Sequence, residues 1–209
     1  MRAGHIERIK PVVSLQEFFK NSLADSMTRQ GLDARDHTTY YIVNLLTLFA
    51  RSDALFETTE NGTELRPLAL ILADAAESAH SADRQYALQR VGDISLFMAG
   101  FFGDALACKL VGLDYYVNMG GSAYGTLSEQ VRGSLRGQVF SSVFAELSAK
   151  FQDFVDVLAD VRNEASSHQD VDILRLYEMW LQTGSKRAAG LLRKNGIEPN
   201  QRLNGRTRH

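Results

Sequence analysis

Residues 140–161 read FSSVFAELSAKFQDFVDVLADV. Within them Phe140, Phe144, Leu147, Phe151, Phe154, Leu158 and Val161 recur at alternating steps of four and three. Such steps track the 3.6-residue helical turn, so all seven side chains fall along one stripe. The stripe is sustained over three heptads and predicts one long helix braced along a partner helix. No run of alternating β-branched residues competes with it, so no strand is expected. The chain therefore reads as all-α: a single-domain bundle of about seven to nine helices, with this long helix in its C-terminal half.

Working outward, residues 92–125 read GDISLFMAGFFGDALACKLVGLDYYVNMGGSAYG and hold seven of the chain's 16 glycines. Glycine weakens a helix, so glycines among apolar helical residues point to close backbone approach, by another helix or by a ligand. Together with the apolar residues 40–50, this stretch is expected at the centre of the fold. Helices are expected over 82–102, over 105–111 after a restart at Gly103-Asp104, and over 114–131. Towards the N-terminus, Ser14 and Glu17 form a capping box and Gly31 a C-terminal stop. A second helix follows over 38–51. Residues 53–64 read as polar loop with a turn at Asn61-Gly62, and Pro67 opens a third helix running to 79. Residues 134–137 break the chain before the long helix. Beyond it, Asp170 or Asp172 caps a helix with Ile173, Leu174, Tyr177, Trp180 and Leu181 inward. A short helix then runs to Lys194 and stops at Asn195-Gly196. The helical domain is placed at 1–194 and a flexible basic tail at 195–209.

With 209 residues, 44% apolar and 23% charged, the composition is that of an ordinary globular chain. Cys108 is the only cysteine, which excludes an intrachain disulfide and a cysteine-based zinc cluster. The first residues, MRAGHIERIKPVV, carry no apolar run of a secretory signal, and the expected location is cytoplasmic. The longest apolar run, 94–102, is about half of the ~20 residues that cross a bilayer, so no stable membrane insertion is expected. The net charge of −2 conceals an acidic body, −8 over residues 1–184, and a +6 segment over 185–209. That asymmetry suits an acidic partner or a nucleic acid.

Five constellations could carry chemistry. Asp153, Asp156, Asp160 and Glu164 share one face of the long helix. Asp156-x-x-x-Asp160-x-x-x-Glu164 resembles the second aspartate-rich motif of squalene and phytoene synthases, and residues 116–125 resemble the tyrosine–glycine helix of those enzymes. The resemblance covers about 20 residues and lacks the first aspartate motif. It implies Mg²⁺ held by Asp156, Asp160 and Glu164 for a diphosphate substrate. At about 100° per residue, however, this stripe lies about 145° from the apolar seam, so a solvated face is expected instead. No cofactor is expected.

Glu77 and His80 match one Glu-x-x-His unit of a di-iron bundle, which needs two. Phosphate-loop motifs are missing: the chain has neither G-x-x-x-x-G-K-[ST] nor G-x-G-x-x-G. Gly121 and Gly125, one turn apart, suit a tight helix crossing better than a ligand. Residues 181–197 look like the first part of a Fis-type helix-turn-helix. Lys186, Arg187, Arg193 and Lys194 would contact nucleic acid there, but no convincing recognition helix follows. Lastly, Asn44 and Asn118 sit in apolar sequence beside Tyr40-Tyr41 and Tyr115-Tyr116. With Gly121 and Tyr124 these residues (Asn44, Tyr115, Tyr116, Asn118) would line a small-molecule pocket if the amides are buried.

The leading expectation is a non-enzymatic domain that associates with itself or with another protein. A small-molecule-binding or Mg²⁺-dependent enzyme using residues 92–125 is the alternative, and nucleic-acid contact through the basic segment is the third.

Overall fold

A computed structural model describes residues 14–50, 55–59, 62–106, 112–133, 135–167, 173, 177, 180 and 186–199. The chain begins with α1 (Leu15–Gln30), and its ends follow the sequence closely. Ser14 Oγ accepts from the Glu17 N–H at 3.1 Å. Gly31 adopts φ +67°, and the Leu32 N–H returns to the Met27 carbonyl at 3.0 Å. That left-handed closure satisfies carbonyls that the helix leaves open. Helix α2 (Asp36–Phe49) runs back along α1, starting and ending two residues earlier than the sequence suggests.

The polar stretch that follows holds a small antiparallel hairpin, β1 (Glu57–Thr59) and β2 (Gly62–Glu64), in the register Thr58 opposite Thr63. This corrects the strand-free reading. The pairing is too short to show alternation, although an Asn-Gly step such as Asn61-Gly62 is a usual hairpin signal in a sequence.

Helix α3 (Leu68–Glu77) opens directly after Pro67. Helix α4 (Ser81–Leu106) is the axis of the molecule. It runs unbroken past Gly103, so the expected restart there is absent. Glycine costs a helix only about 1 kcal/mol, which burial of the surrounding apolar residues outweighs. Helix α5 (Leu113–Gln130) packs along α4 and ends in a 3₁₀ turn, Val131–Gly133.

The heptad seam spans two helices rather than one: α6 (Leu135–Ala149) and α7 (Phe151–Ser167). Hydrogen bonds from Lys150 N to Glu146 O and from Phe154 N to Lys150 O carry across the joint at 3.0 Å each. The stripe therefore stays on one face, and Phe144, Leu147, Phe151, Phe154, Leu158 and Val161 are all buried. Phe140 is not; it is 51% exposed. The seam also meets several helices instead of one partner: α6 lies against α5, and α7 against α4 and α1. Helix α8 (Lys186–Lys194) ends at Gly196, φ +78°, with the Ile197 N–H on the Leu192 carbonyl. Ile197 is fully buried, so the packed chain continues beyond Lys194.

One apolar core joins these helices, with Ile173, Tyr177 and Trp180 buried in it. The fold is an all-α, single-domain bundle, with eight α-helices among the described residues. Leu174, Leu181, Cys108 and residues 200–209 lie outside the described residues.

Candidate functional site

The glycines of the central stretch bring helices together. A Cβ on Gly92 would stand 2.5 Å from the Tyr124 ring, and one on Gly100 2.4 Å from Leu158 Cβ. One on Gly120 would meet the Phe151 ring at 2.4 Å and Ser95 Cβ at 2.6 Å. Real side chains cannot sit that close, so these three positions let α5 and α7 close onto α4. Gly121 is roomier, with Phe151 Cβ at 3.8 Å. Its carbonyl accepts the Ser148 hydroxyl of α6 at 2.7 Å. A Cβ on Gly125 would stand 3.0 Å from the same Ser148 Oγ, so the Gly121/Gly125 face does meet α6 closely, while the tightest approach in α5 lies at Gly120.

Gly92 leaves room for Tyr124, and Tyr124 leads to the chemistry. Its hydroxyl donates to Asp93 Oδ1 at 2.7 Å. Tyr41, from α2, donates to the same oxygen at 2.6 Å. Gln89, one turn before Asp93 on α4, donates its Nε2–H to the Tyr41 oxygen at 3.0 Å. Three helices thus meet on one carboxylate. Burial pushes the Asp93 carboxyl up to about 6, against the two tyrosine hydrogen bonds and the Arg90 charge, which pull it down. Burial also raises both tyrosines, with the Asp93 charge next, so both hydroxyls keep their protons. Arg90 is fixed elsewhere, donating to the Leu55 carbonyl at 3.1 Å and lying over the Phe49 ring.

Above this cluster lies an open groove of about 540 Å³ between the start of α4, the end of α5 and the start of α6. Among the described residues no charged side chain lines it; its polar groups include the amides of Gln85, Gln89 and Gln130. Gln89 and Phe144 form its link to the carboxylate. The Phe144 ring meets Tyr41 edge-on at 5.6 Å, stacks with Tyr124 at 5.8 Å and with Phe140 at 6.3 Å. Tyr86 and Phe140 flank the groove and are 70% and 51% exposed.

The residues expected to form a ligand pocket are dispersed. Tyr124 is buried at Asp93. Tyr115 and Tyr116 pack edge-on against each other at 5.4 Å, half-buried, and burial raises the Tyr116 hydroxyl. Asn118 is exposed, so it poses no buried-amide problem. Asn44 is half-buried and accepts from Gln16 Nε2 of α1 at 3.2 Å. A second hollow, about 730 Å³ between α1 and α2, is lined by Ser14, Lys20, His37 and Tyr40 among others, and by none of these six residues.

The acidic stripe divides in two. Asp153 and Asp156 are exposed, and Gln152 donates to Asp156 at 2.9 Å. Asp160 instead faces α1, accepting from Gln30 Nε2 at 2.7 Å and Ser26 Oγ at 3.2 Å. Glu164 is half-buried. Among the described residues no three histidine, cysteine or carboxylate groups gather to hold a metal ion. Of the basic residues, Lys186 and Arg187 stand in the first turn of α8. Lys194 is exposed, and Arg193 is paired with Glu198 at 3.0 Å.

No sequence motif joins Asp93, Tyr41 and Gln89. A signal was there: Asp93 is the one ionisable residue in the apolar run 91–102, and such residues mark places where burial perturbs titration. Among the described residues no helix is long and apolar enough to cross a membrane. Comparison of the chain with protein-family models, curated proteins and solved structures finds no match.

Proposed function

We propose that this chain is a non-enzymatic, cytoplasmic association domain that pairs with a second copy of itself across the α4–α5–α6 groove. One observation carries the reading: protruding apolar side chains share one patch with a hollow that no charged side chain lines among the described residues. Tyr86 and Phe140 project beside a groove large enough to receive such rings, and Val139 next to Phe140 is 47% exposed. A surface that carries both knob and hole is self-complementary, which is what a two-fold dimer requires. Exposed tyrosine and phenylalanine are also the residues that anchor interfaces, with depletion of charge at the centre.

Light scattering on size-exclusion fractions over a hundredfold concentration range tests the reading. A dimer that dissociates on dilution is the expected result; a strict monomer at the highest concentration overturns it. The volume of the groove also falls within the roughly 300–1,000 Å³ of small-molecule sites, and its glutamine amides could orient a neutral aromatic ligand. A thermal-shift screen with neutral aromatic compounds separates this second reading, since a ligand of the folded state raises Tm.

A further inference from the structure

The groove and the carboxylate are joined by a hydrogen bond whose direction chemistry fixes. A tyrosine hydroxyl has one proton, and an ionised carboxylate has none to give. Tyr41 therefore spends its proton on Asp93 Oδ1, 2.6 Å away. Its oxygen can then only accept, so Gln89 must turn its NH₂ group towards Tyr41, as it does at 3.0 Å. Gln89 also lines the groove. With the NH₂ end engaged below, the carbonyl Oε1 is the end left for the groove.

A proton taken up on Asp93 Oδ1 reverses this order. Carried on Oδ1, the proton of the carboxylic acid faces the oxygens of the two tyrosines, 2.6 and 2.7 Å away. Once the Tyr41 oxygen accepts that proton, its own O–H is released to donate to Gln89. The Gln89 amide must then rotate to present Oε1 downwards, which leaves its NH₂ in the groove. One proton enters from solvent, and no covalent bond other than its O–H is made or broken.

We propose that the Asp93–Tyr41–Gln89 chain is a proton-linked control on the groove, in which proton uptake at Asp93 switches the groove-facing end of Gln89 from acceptor to donor. The groups that act on Asp93 are Tyr41 from α2, Tyr124 from α5 and Arg90 from α4 itself. Helices α3 and α7 also pack on α4 but bring no charged side chain that acts on it among the described residues. Burial sets the carboxyl near 6, so the switch operates between about pH 5 and 7. The consequence for pairing rests on the groove being the self-association surface; the switch itself does not.

The experiment is a pH titration of the full chain, labelled with ¹⁵N and ¹³C, from pH 4.5 to 8 by NMR. In the wild type the Gln89 side-chain NH₂ resonances shift with the same midpoint as the Asp93 carboxyl carbon. In Asp93→Asn, which keeps the shape of the carboxylate, they are flat. In Tyr41→Phe the Asp93 carbon still titrates and Gln89 no longer follows, so this variant decides the matter even if the first fails to fold. A Gln89 amide that stays flat in the wild type while Asp93 titrates overturns the proposal, as does a Gln89 titration that persists in Asp93→Asn. The dimer constant is then compared at pH 5 and 7.5. A change of threefold or more that disappears in Asp93→Asn is expected, and equal constants overturn the control of pairing. If no dimer forms at either pH, the self-association reading fails by itself, and the Gln89 titration still decides the switch.

Discussion

Two adjacent glycines in α5 make opposite demands on a side chain. Gly120 lies where a Cβ would press into Phe151 and Ser95 at 2.4 and 2.6 Å, whereas Gly121 leaves ordinary contact distance. Gly120→Ala is therefore expected to destabilise by about 1–3 kcal/mol through overpacking. Gly121→Ala should be neutral or stabilising by up to about 1 kcal/mol, because alanine is the better helix former. Urea unfolding of the two variants checks the contrast, and equal losses would contradict it. The sequence made the need for close approach legible, through the density of glycine in apolar sequence. It did not reveal which glycine, because neighbouring residues are 100° apart on a helix and only the packed partner fixes the phase. Asp93 makes the other residue-scale prediction. Its folded pKa, about 6, is above its unfolded value, so the folded state binds the proton more tightly. Stability from this group is thus present below about pH 4 and is lost as pH rises to about 6. Asp93→Asn should accordingly gain on the wild type over that interval, by on the order of 2 kcal/mol, measured by chemical unfolding at pH 4 and pH 7.5.

At the scale of elements, helices here are tied at their ends by side chains from elsewhere in the chain. Helix α2 starts at Arg35 without a capping side chain of its own. Glu146 of α6 supplies one: its Oε2 accepts from the Arg35 N–H at 3.2 Å and from Thr38 Oγ1 at 2.6 Å, and Lys150 holds Oε1 at 2.9 Å. Lys150 also donates to the Asp33 carbonyl at 2.6 Å, so the joint between α6 and α7 is anchored to the loop before α2. Burial works against the Glu146 carboxylate, but the hydrogen bonds from Thr38, Lys150 and the Arg35 N–H outweigh it and hold its pKa below the usual range. The folded value being the lower one, this stabilisation is present above the unfolded pKa and is lost as pH falls through the folded one. Glu146→Ala should cost about 2 kcal/mol near neutrality, since it leaves the fully buried Thr38 hydroxyl without its partner. Adding Thr38→Val should recover part of that loss; a fully additive double mutant would show that the two side chains do not cooperate. Local signals explain why some elements were legible and others not. Ser14, Gly31, Pro67 and Gly196 announce ends through backbone chemistry that acts within a few residues. The joint at Lys150 has no glycine or proline to announce it, and the cap on α2 comes from a residue 111 positions away. Asp93 was hidden for the same reason: its partners lie 52 and 31 residues off.

The whole molecule presents two faces to this bundle's surroundings. The mixed hollow between α1 and α2 carries Lys20, Asp36 and His37 beside Tyr40, which is 63% exposed. Among the described residues the α4–α5–α6 groove is lined by no charged side chain, and more than one exposed ring flanks it. Desolvating charged groups opposes association, and an uncharged patch avoids that cost, so the groove is the face on which pairing should concentrate. The seam gives a second reason. Phe140 is the only one of its seven positions that fails to reach the core, and it fails where the groove opens. An apolar residue in phase with a buried stripe yet left exposed beside other exposed apolar side chains is surface that the proposed pairing would bury. Phe140→Asp should therefore weaken the dimer at least tenfold in sedimentation equilibrium. Thermal stability measured on the dilute monomer should hardly change, because the side chain contributes little to the core. Tyr40→Asp, an equally drastic change on the other face, should leave the dimer constant as it was. If the two substitutions weaken pairing alike, or if Tyr40→Asp alone does so, the interface lies on the α1–α2 face and the groove is not the pairing surface.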